Sequence, residues 1–275
     1  MKNTKELLAR YGLNASKSLG QNFLCDGDAL ESIVNSADID EKPVLEIGPG
    51  LGELTVALAK RASCVVAVEI DQRMTEVLRD RLAPYPNTEV IYADFLRVKL
   101  DEIYARLGER PFHVVANLPY YITTPISTRL VTSPLPIEGM CLMVQAEAAE
   151  RFSAPPRARV YGHLSVMTQA RYNVETVLRL SPSSYYPRPD VDSAVITLKS
   201  RGRVLPNNLD GLVRAAFAGR RKTLVNTLSS AGYDKSDIAA ALSQLNIRED
   251  VRAEAICVEE FMLLANALKK KLWGK

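Results

Sequence analysis

The chain has 275 residues, of which 47% are hydrophobic, enough for one large core and a small second one. No apolar run approaches the roughly 18 residues of a membrane-spanning helix, and the N-terminus lacks the apolar core of a signal peptide, so we expect a cytoplasmic protein. The 4 cysteines are scattered and there are only 2 histidines, which indicates neither a disulfide framework nor a metal site.

Charge is spread unevenly along the chain. The net charge is only +3, yet residues 201–275 hold 13 lysines and arginines against 8 aspartates and glutamates. A basic C-terminal region beside a near-neutral remainder predicts a polyanionic partner. A solvated helical surface would show the same balance, so charge alone leaves both interpretations open.

Residues 1–24 are predicted to form a basic N-terminal arm that ends in a lid. A short helix comes first, and the apolar run Leu19–Leu24 follows, with the amides of Gln21 and Asn22 inside it. Amide groups beside apolar side chains can close over a nucleoside. The same residues can instead cap and staple the helix predicted over Asp28–Ala37.

The next stretch has the pattern of a nucleotide-binding βαβ unit. Val44–Ile47 reads as a buried strand, Gly48–Gly52 as a tight turn and Glu53–Ala62 as the helix that leaves it. A second apolar strand, Val65–Val68, ends in Glu69. In sheets built from such units, ligands bind beyond the carboxyl ends of the parallel strands.

Spacing within this unit indicates the ligand. Gly48 and Gly50 remove Cβ atoms where the backbone must approach a ligand closely. Glu69 lies 21 residues beyond Gly48, the offset at which an acid bonds ribose hydroxyls. Glu53 stands where a dinucleotide fingerprint needs glycine, and its carboxylate would repel a diphosphate but tolerate the sulfonium of S-adenosylmethionine. A methyltransferase is therefore favoured over a dehydrogenase, and a turn that only closes the βα unit is the third interpretation.

Two further strand tips carry informative side chains. Glu89–Ala93 is predicted as a strand ending in Asp94, which can accept from the amino group of adenine while Phe95 covers the ring. The alternative role of this aspartate is to cap the following turn. The strand Phe112–Ala116 leads into Asn117–Tyr121, where an amide, a geometry-fixing proline and an aromatic ring suit a flat base with an exocyclic amino group.

These elements predict an α/β fold, a Rossmann-like sheet followed by a smaller, all-helical C-terminal domain. Later strands are predicted at Gly139–Val144, Tyr172–Leu180 and Ser193–Lys199, and only helices follow Leu205. The predicted domains are residues 1–24 for the arm and lid, 25–203 for the Rossmann-like methyltransferase domain and 204–275 for a helical RNA-binding domain.

Eight short motifs run along nearly the whole chain. They are G-Q-N-F-L at Gly20–Leu24, E-I-G-P-G-x-G at Glu46–Gly52, V-E-I-D at Val68–Asp71, N-L-P-Y at Asn117–Tyr120, Q-x-E at Gln145–Glu147, Y-G at Tyr161–Gly162, P-x-P-x-V-D-S-A at Pro187–Ala194 and F-x-x-R-R-K-T-L at Phe217–Leu224. In this order they resemble the KsgA-type small-subunit ribosomal RNA adenine dimethyltransferases, which are Rossmann-like S-adenosylmethionine enzymes. One such motif is a modest signal, whereas eight in the order of the family are a strong one.

The resemblance implies roles for individual residues. It implies an S-adenosylmethionine site formed by Asn22, Leu24, Gly48, Gly50, Glu69, Asp94, Phe95 and Asn117. It implies a catalytic group formed by Asn117, Leu118, Pro119, Tyr120 and Tyr185, with Tyr185 packed on the target base. RNA contacts are expected from Arg188, Arg220, Arg221 and Lys222. Arg188 stands where the family is expected to have proline, which leaves the choice between Tyr185 and Tyr186 open.

The activity implied by the resemblance is dimethylation of the exocyclic amino groups of two adjacent adenines in a hairpin loop of small-subunit (16S) rRNA, with a role in small-subunit biogenesis. The Asn117 oxygen and the Leu118 carbonyl would accept hydrogen bonds from the amino group, and no metal is required. The expected partner is rRNA in the small subunit or its precursor, bound by a monomer. Two alternatives remain: a large-subunit rRNA methyltransferase of the macrolide-resistance type, in which isoleucine is expected at Leu118, and a non-enzymatic assembly factor on the same scaffold.

Overall fold

The computed structural model describes residues 2–219 and 221–268. The strands within these ranges are β1 (Phe23–Leu24), β2 (Pro43–Ile47), β3 (Cys64–Glu69), β4 (Thr88–Tyr92), β5 (Phe112–Asn117), β6 (Ile137–Gln145), β7 (Tyr172–Leu180), β8 (Tyr185–Tyr186) and β9 (Ser193–Ser200). The helices are α1 (Lys2–Arg10), α2 (Gly27–Ser36), α3 (Glu53–Ala59), α4 (Thr75–Leu82), α5 (Leu100–Arg106), α6 (Thr123–Val131), α7 (Ala146–Ser153), α8 (His163–Arg171), α9 (Leu209–Ala216), α10 (Leu224–Ser230), α11 (Lys235–Gln244) and α12 (Val258–Ala267). Among the helices of these two ranges, none has the length and apolarity of a transmembrane helix.

Seven strands form one sheet in the order β4-β3-β2-β5-β6-β9-β7. β2 pairs in parallel with β3 and β5, and the parallel pairs β3–β4 and β5–β6 extend the sheet on either side. β9 runs antiparallel to β6. This sheet confirms the predicted Rossmann-like α/β fold. The strand order reverses at β2, because β3 and β4 lie on one side of it and β5 on the other, and open α/β sheets bind ligands at such a switch point.

The strands at the centre of the sheet are buried. Every residue of β2 is buried, and β5 is buried up to its last residue. Near-continuous apolar strands of this kind are typical of parallel sheets that are covered on both faces. Glu46 is the exception in β2, because it is an acidic side chain with a relative exposure of only 1%.

The described residues divide into two compact units, of which the first holds residues 2–149 and 174–200 and carries most of the sheet. The second holds residues 150–173 and 201–268. It is largely helical, but it includes a segment, residues 150–173, that the sequence assigns to the methyltransferase domain. The reason is that α8 packs against α9 and α12. The ring of Phe217 lies 5.9 Å from those of Tyr161 and Phe261, which gives this unit an aromatic core of its own.

The N-terminal arm is packed into the first unit. Leu8 of α1 joins a buried cluster with Phe23, Leu51 and Leu78, and the Tyr11 hydroxyl donates to an Asp80 carboxylate oxygen at 2.9 Å. The end of the lid forms β1, which pairs antiparallel with β8. The lid is therefore held both by the arm that precedes it and by a strand from much later in the chain.

Candidate functional site

A pocket lies at the carboxyl ends of β2, β3 and β5. Its walls come from four segments of the first unit: residues 19–24 of the lid, most of residues 46–54, residues 69–70 and residues 117–120, with Leu30 and Met143 completing the lining. Three strand ends, the glycine turn and the lid therefore meet at the switch point of the sheet. No three histidine, cysteine, aspartate or glutamate side chains in the described ranges are grouped as a metal site.

The glycine turn forms the floor of this pocket. Gly48 and Gly50 have φ angles of +73° and +56°, a backbone conformation that other residues rarely adopt. A Cβ atom on Gly50 would lie 3.0 Å from Cε1 of Phe23. Glycine is thus needed at position 50 both for the turn and for the Phe23 ring of the lid to pack over it.

Glu69 ends β3 with its side chain against the turn. One carboxylate oxygen accepts from the Gly50 N–H at 3.0 Å, and the other accepts from the Asp71 N–H at 2.7 Å. Burial raises the pKa of Glu69, and these two hydrogen bonds oppose the shift. Each oxygen of a carboxylate can accept more than one hydrogen bond, so the group can also bind a ligand hydroxyl.

Glu46 is a site residue to which the sequence assigned no role. It lines the pocket, and neither of its carboxylate oxygens has a hydrogen-bond partner in the described part of the protein. Burial raises its pKa to about 8, and the nearby charge of Glu69 reinforces the shift. An acid within a strand that is otherwise apolar is the signal that reveals it. Glu53 also lines the pocket, but Arg81 binds both of its oxygens, at 2.7 and 2.9 Å.

The lid is attached to the pocket through consecutive residues. The Gln21 side-chain oxygen accepts from the Ser16 N–H at 2.8 Å, and its amide nitrogen donates to Asp71 at 2.9 Å. The next residue, Asn22, uses its backbone carbonyl to accept from the Asn117 side-chain nitrogen at 3.0 Å. The lid therefore contacts the ends of β3 and β5 at once. The sequence predicts the amide of Gln21 as part of the lid, but it does not predict the partner Asp71.

Asn117 is oriented by this contact with the lid. Its nitrogen must face the Asn22 carbonyl, because only the nitrogen can donate. The side-chain oxygen is thereby left for another partner in the pocket. Leu118 is buried and its N–H donates to the Met143 carbonyl at 3.0 Å, while the Tyr120 hydroxyl is 2.6 Å from that of Ser193. The structure thus brings the predicted residues Asn117, Leu118, Pro119 and Tyr120 together at one pocket wall.

Tyr185 is not placed as the sequence predicts. Its ring has a relative exposure of 0%, and its hydroxyl lies 2.9 Å from the Met143 sulfur. It belongs to the hydrophobic core that contains Val195 and Cys141. The prediction that Tyr185 packs on a target base is wrong for this conformation, because the ring has no open face. Tyr186 is only partly buried, and the Lys5 amino group lies 4.9 Å from its ring centre.

Asp94 and Phe95 lie beyond the lining of the pocket. The Ala93 N–H donates to the Glu69 carbonyl at 2.9 Å, so Asp94 follows a strand tip adjacent to Glu69. Asp94 accepts from the Leu96 N–H at 2.9 Å, as the cap interpretation predicts. Phe95 is buried under the Arg129 guanidinium rather than exposed over the pocket, so as placed here it does not cover a ligand ring. Arg129 also donates to the carbonyls of Phe95 and Val98, which fixes this loop.

The predicted RNA contacts are exposed where they are described. Arg188 is exposed in the first unit, and Arg221 and Lys222 are exposed in the second, in the loop before α10. Arg220 lies outside the described residues.

The chain is similar to known proteins along most of its length. A family model described as ribosomal RNA adenine dimethylase matches residues 12–270. Proteins named ribosomal RNA small subunit methyltransferase A are 44% identical in Bacillus thuringiensis (strain Al Hakam), over 96% of this chain and 95% of theirs, and 43% identical in Geobacillus sp. (strain WCH70), over 98% and 97%.

The fold is also similar to those of solved methyltransferase structures. A dimethyladenosine transferase from Plasmodium falciparum aligns with a TM-score of 0.73 and 26% identity, over 88% of this chain and 95% of that one. The 23S rRNA methyltransferase ErmE aligns with a TM-score of 0.66 and 31% identity, over 90% and 99%.

Proposed function

Since the chain belongs to the ribosomal RNA adenine dimethylase family, we propose that it dimethylates the exocyclic amino groups of two adjacent adenines in a hairpin loop of small-subunit (16S) rRNA. It is an rRNA adenine dimethyltransferase that uses S-adenosylmethionine. The observation that carries the proposal is the Asn117 amide, which donates to the lid through its nitrogen and so leaves its oxygen to accept from a base. We propose that the enzyme acts in the cytoplasm, as a monomer, on the small subunit or its precursor during small-subunit biogenesis.

The pocket fits a cationic nucleoside. Gly48 and Gly50 leave room for the backbone to approach it, and Glu46 supplies a buried carboxyl whose oxygens have no partner in the described protein. Glu69 would hold the ribose hydroxyls, and Asp94 at the adjacent strand tip would hold the adenine amino group. Asn22 and Leu24 would close over the cofactor as part of the lid. When bound, S-adenosylmethionine supplies an electrophilic methyl group.

The mechanism proposed for the site is positioning of a weak nucleophile. The lone pair of the exocyclic nitrogen is delocalised into the adenine ring. Hydrogen bonds from its two N–H groups to the Asn117 oxygen and the Leu118 carbonyl would favour a pyramidal nitrogen whose lone pair faces the methyl group. Holding the reacting atoms in line can contribute about 7–11 kcal/mol. The nitrogen would become acidic as its bond to the methyl carbon formed and the bond from that carbon to the sulfonium sulfur broke, so water could take its proton and no side-chain base would be required.

Glu69→Gln is expected to weaken binding of S-adenosylmethionine by about 10- to 100-fold, because hydrogen bonds to a charged group contribute about 1.5–3 kcal/mol. The substitution replaces one of the acceptor oxygens by a donor, next to the N–H groups of Gly50 and Asp71. Titration calorimetry measures the affinity. Glu76→Gln, the same change on the exposed side of α4, is the control. If the affinity of the Glu69 variant were within twofold of that of the wild type, Glu69 would not be the residue that binds the ribose hydroxyls.

The substrate is tested by offering each ribosomal subunit separately. We expect transfer of tritiated methyl groups to immature small subunits and none to large subunits, with both modified adenines located by mass spectrometry of the RNA. The similarity to the 23S rRNA methyltransferase makes large-subunit rRNA the second candidate. Transfer to large subunits alone would establish that candidate instead. If a variant without transferase activity still restored subunit maturation in full, binding rather than methylation would be the main role.

The loop before α10 is proposed to contact RNA phosphates. Arg221→Ala and Lys222→Ala are each expected to reduce the slope of log affinity against log salt concentration by about 1, because each cation that neutralises a phosphate releases counterions. Filter binding to immature small subunits between low and moderate salt measures the slope. Lys60→Ala is a matched control, because Lys60 is exposed at the end of α3 that is remote from the pocket. Unchanged slopes in both variants would contradict phosphate contact by this loop.

A further inference from the structure

Tyr121 is a large aromatic side chain that is left open to solvent. It has a relative exposure of 55%, and it is the aromatic member of the exposed large hydrophobic residues in the described part of the chain. It directly follows Tyr120 in the 3₁₀ helix Tyr120–Ile122. A single exposed apolar side chain is common on protein surfaces and carries no conclusion by itself. The residues around Tyr121 are what give its exposure a meaning.

The ring of Tyr121 lies at the rim of the pocket. Gly20 and Pro119 both line the pocket, and Tyr121 itself lies just outside that lining. A Cβ atom on Gly20 would lie 3.1 Å from Cδ1 of Tyr121, so the glycine is what lets the ring lie alongside the lid backbone. The φ angle of Gly20, +59°, also favours glycine. The lid therefore supports one part of the ring and leaves the rest open.

A cation, Lys17, lies in the turn that contains Gly20 and leads into the lid. The Gly20 N–H donates to the Lys17 carbonyl at 3.1 Å, which closes the turn from Lys17 to Gly20. Lys17 is exposed. An exposed aromatic ring and an exposed lysine at the same rim can together bind a nucleotide of single-stranded nucleic acid, because the ring stacks with a base and the cation binds a phosphate.

We propose that Tyr121 and Lys17 form a binding subsite for the nucleotide next to the target adenine. This inference rests on the proposed function, in which one adenine enters the pocket at Asn117 and its neighbour stays at the rim. A base that leaves its stack loses stacking on both sides, and Tyr121 would restore one stacking contact to the neighbour. Since the substrate has two adjacent adenines, each would occupy the rim while the other is methylated.

Three variants of Tyr121 separate stacking from simple bulk. Tyr121→Ala is expected to raise the KM for immature small subunits about tenfold, Tyr121→Leu to raise it nearly as much, and Tyr121→Phe to leave it within twofold, because stacking depends on an aromatic face. Lys17→Ala is expected to raise the KM and to reduce its salt dependence. Affinity for S-adenosylmethionine and thermal stability are expected to stay unchanged in all four. Val177→Ala removes an exposed apolar side chain from the edge strand β7 as a control.

The outcomes distinguish this subsite from the proposed function. If the wild type methylates small subunits and Tyr121→Ala has a wild-type KM, the subsite is overturned and the proposed function stands. Equal KM values for the Leu and Phe variants would also overturn it, since bulk rather than stacking would then matter. If the wild type transfers no methyl group to RNA, the proposed function fails and the subsite fails with it.

Discussion

Replacing Asn117 with alanine is expected to lower the rate constant of methyl transfer by about 10²–10³-fold, the usual cost of removing one preorganised hydrogen-bonding group that acts on the reacting atoms. The substitution removes the oxygen that would accept from the adenine amino group. It also removes the nitrogen that donates to the Asn22 carbonyl at 3.0 Å, so the lid loses a contact with the end of β5. A smaller loss of cofactor affinity is expected from that second effect.

Single-turnover transfer of tritiated methyl groups to immature small subunits measures the rate constant, and calorimetry measures cofactor affinity separately. Asn117→Asp tests orientation, because a carboxylate keeps an oxygen but cannot donate to the Asn22 carbonyl. A large rate loss is therefore expected for this variant too. Asn87→Ala is the matched control: Asn87 also donates to backbone carbonyls, those of Ala59 and Ala62, but it precedes β4 at the opposite end of the sheet. A wild-type rate for Asn117→Ala would remove the proposed mechanism.

The site residues that can be predicted from the sequence are those that belong to short local motifs. The glycine turn, the acid after β3 and the segment after β5 each follow a short apolar strand, and the parallel sheet brings such strand ends together by its geometry. Asn117 and Glu69 can therefore be assigned to one pocket before any coordinate is known. Confirmation of the family adds the cofactor and the reaction to this geometry.

The two tyrosines of β8 show what local patterns leave undecided. Tyr185 and Tyr186 are adjacent, and neighbouring side chains of a strand point to opposite faces. Which of them enters the core depends on pairing with β1, where Leu24 is opposite Tyr185 and Phe23 is opposite Tyr186. This contact spans more than 150 residues of sequence, and a shift of one residue would exchange the two rings. The burial of Tyr185 is therefore a property of the tertiary structure.

The division into units has a similar cause. The sequence pattern changes from strands to helices after residue 200, which suggests a single boundary there. α8 precedes β7 and β9 in the chain but packs with the helices that follow them. This long-range contact cannot be predicted from local sequence patterns, because nothing in residues 150–173 specifies which later helices they contact. The partner of Gln21 is hidden for the same reason, since Asp71 is 50 residues away along the chain.

Glu46→Gln is expected to remove a loss of several kcal/mol in the free energy of unfolding that the wild type shows as pH rises from about 5 to 8. Burial raises the pKa of Glu46 from 4.5 to about 8 in the folded protein. Between these two values the unfolded chain has lost a proton that the folded protein keeps, so the folded state of the wild type loses stability as pH rises. The slope is about 1.4 kcal/mol per pH unit. The stability that the protonated Glu46 gives to the folded wild type is therefore complete below about pH 4.5 and is lost by about pH 8.

Glutamine is always neutral and close to glutamate in shape, so it removes this slope. The free energy of unfolding of Glu46→Gln minus that of the wild type should therefore rise by about 3–4 kcal/mol from pH 5 to pH 8 and stay level above it. Urea unfolding at each pH unit measures this difference, with Glu76→Gln as the exposed counterpart that should leave the profile unchanged. Parallel profiles for Glu46→Gln and the wild type would show that Glu46 is ionised in the folded protein. The buried carboxyl would then need a cationic or donor partner already in the free enzyme.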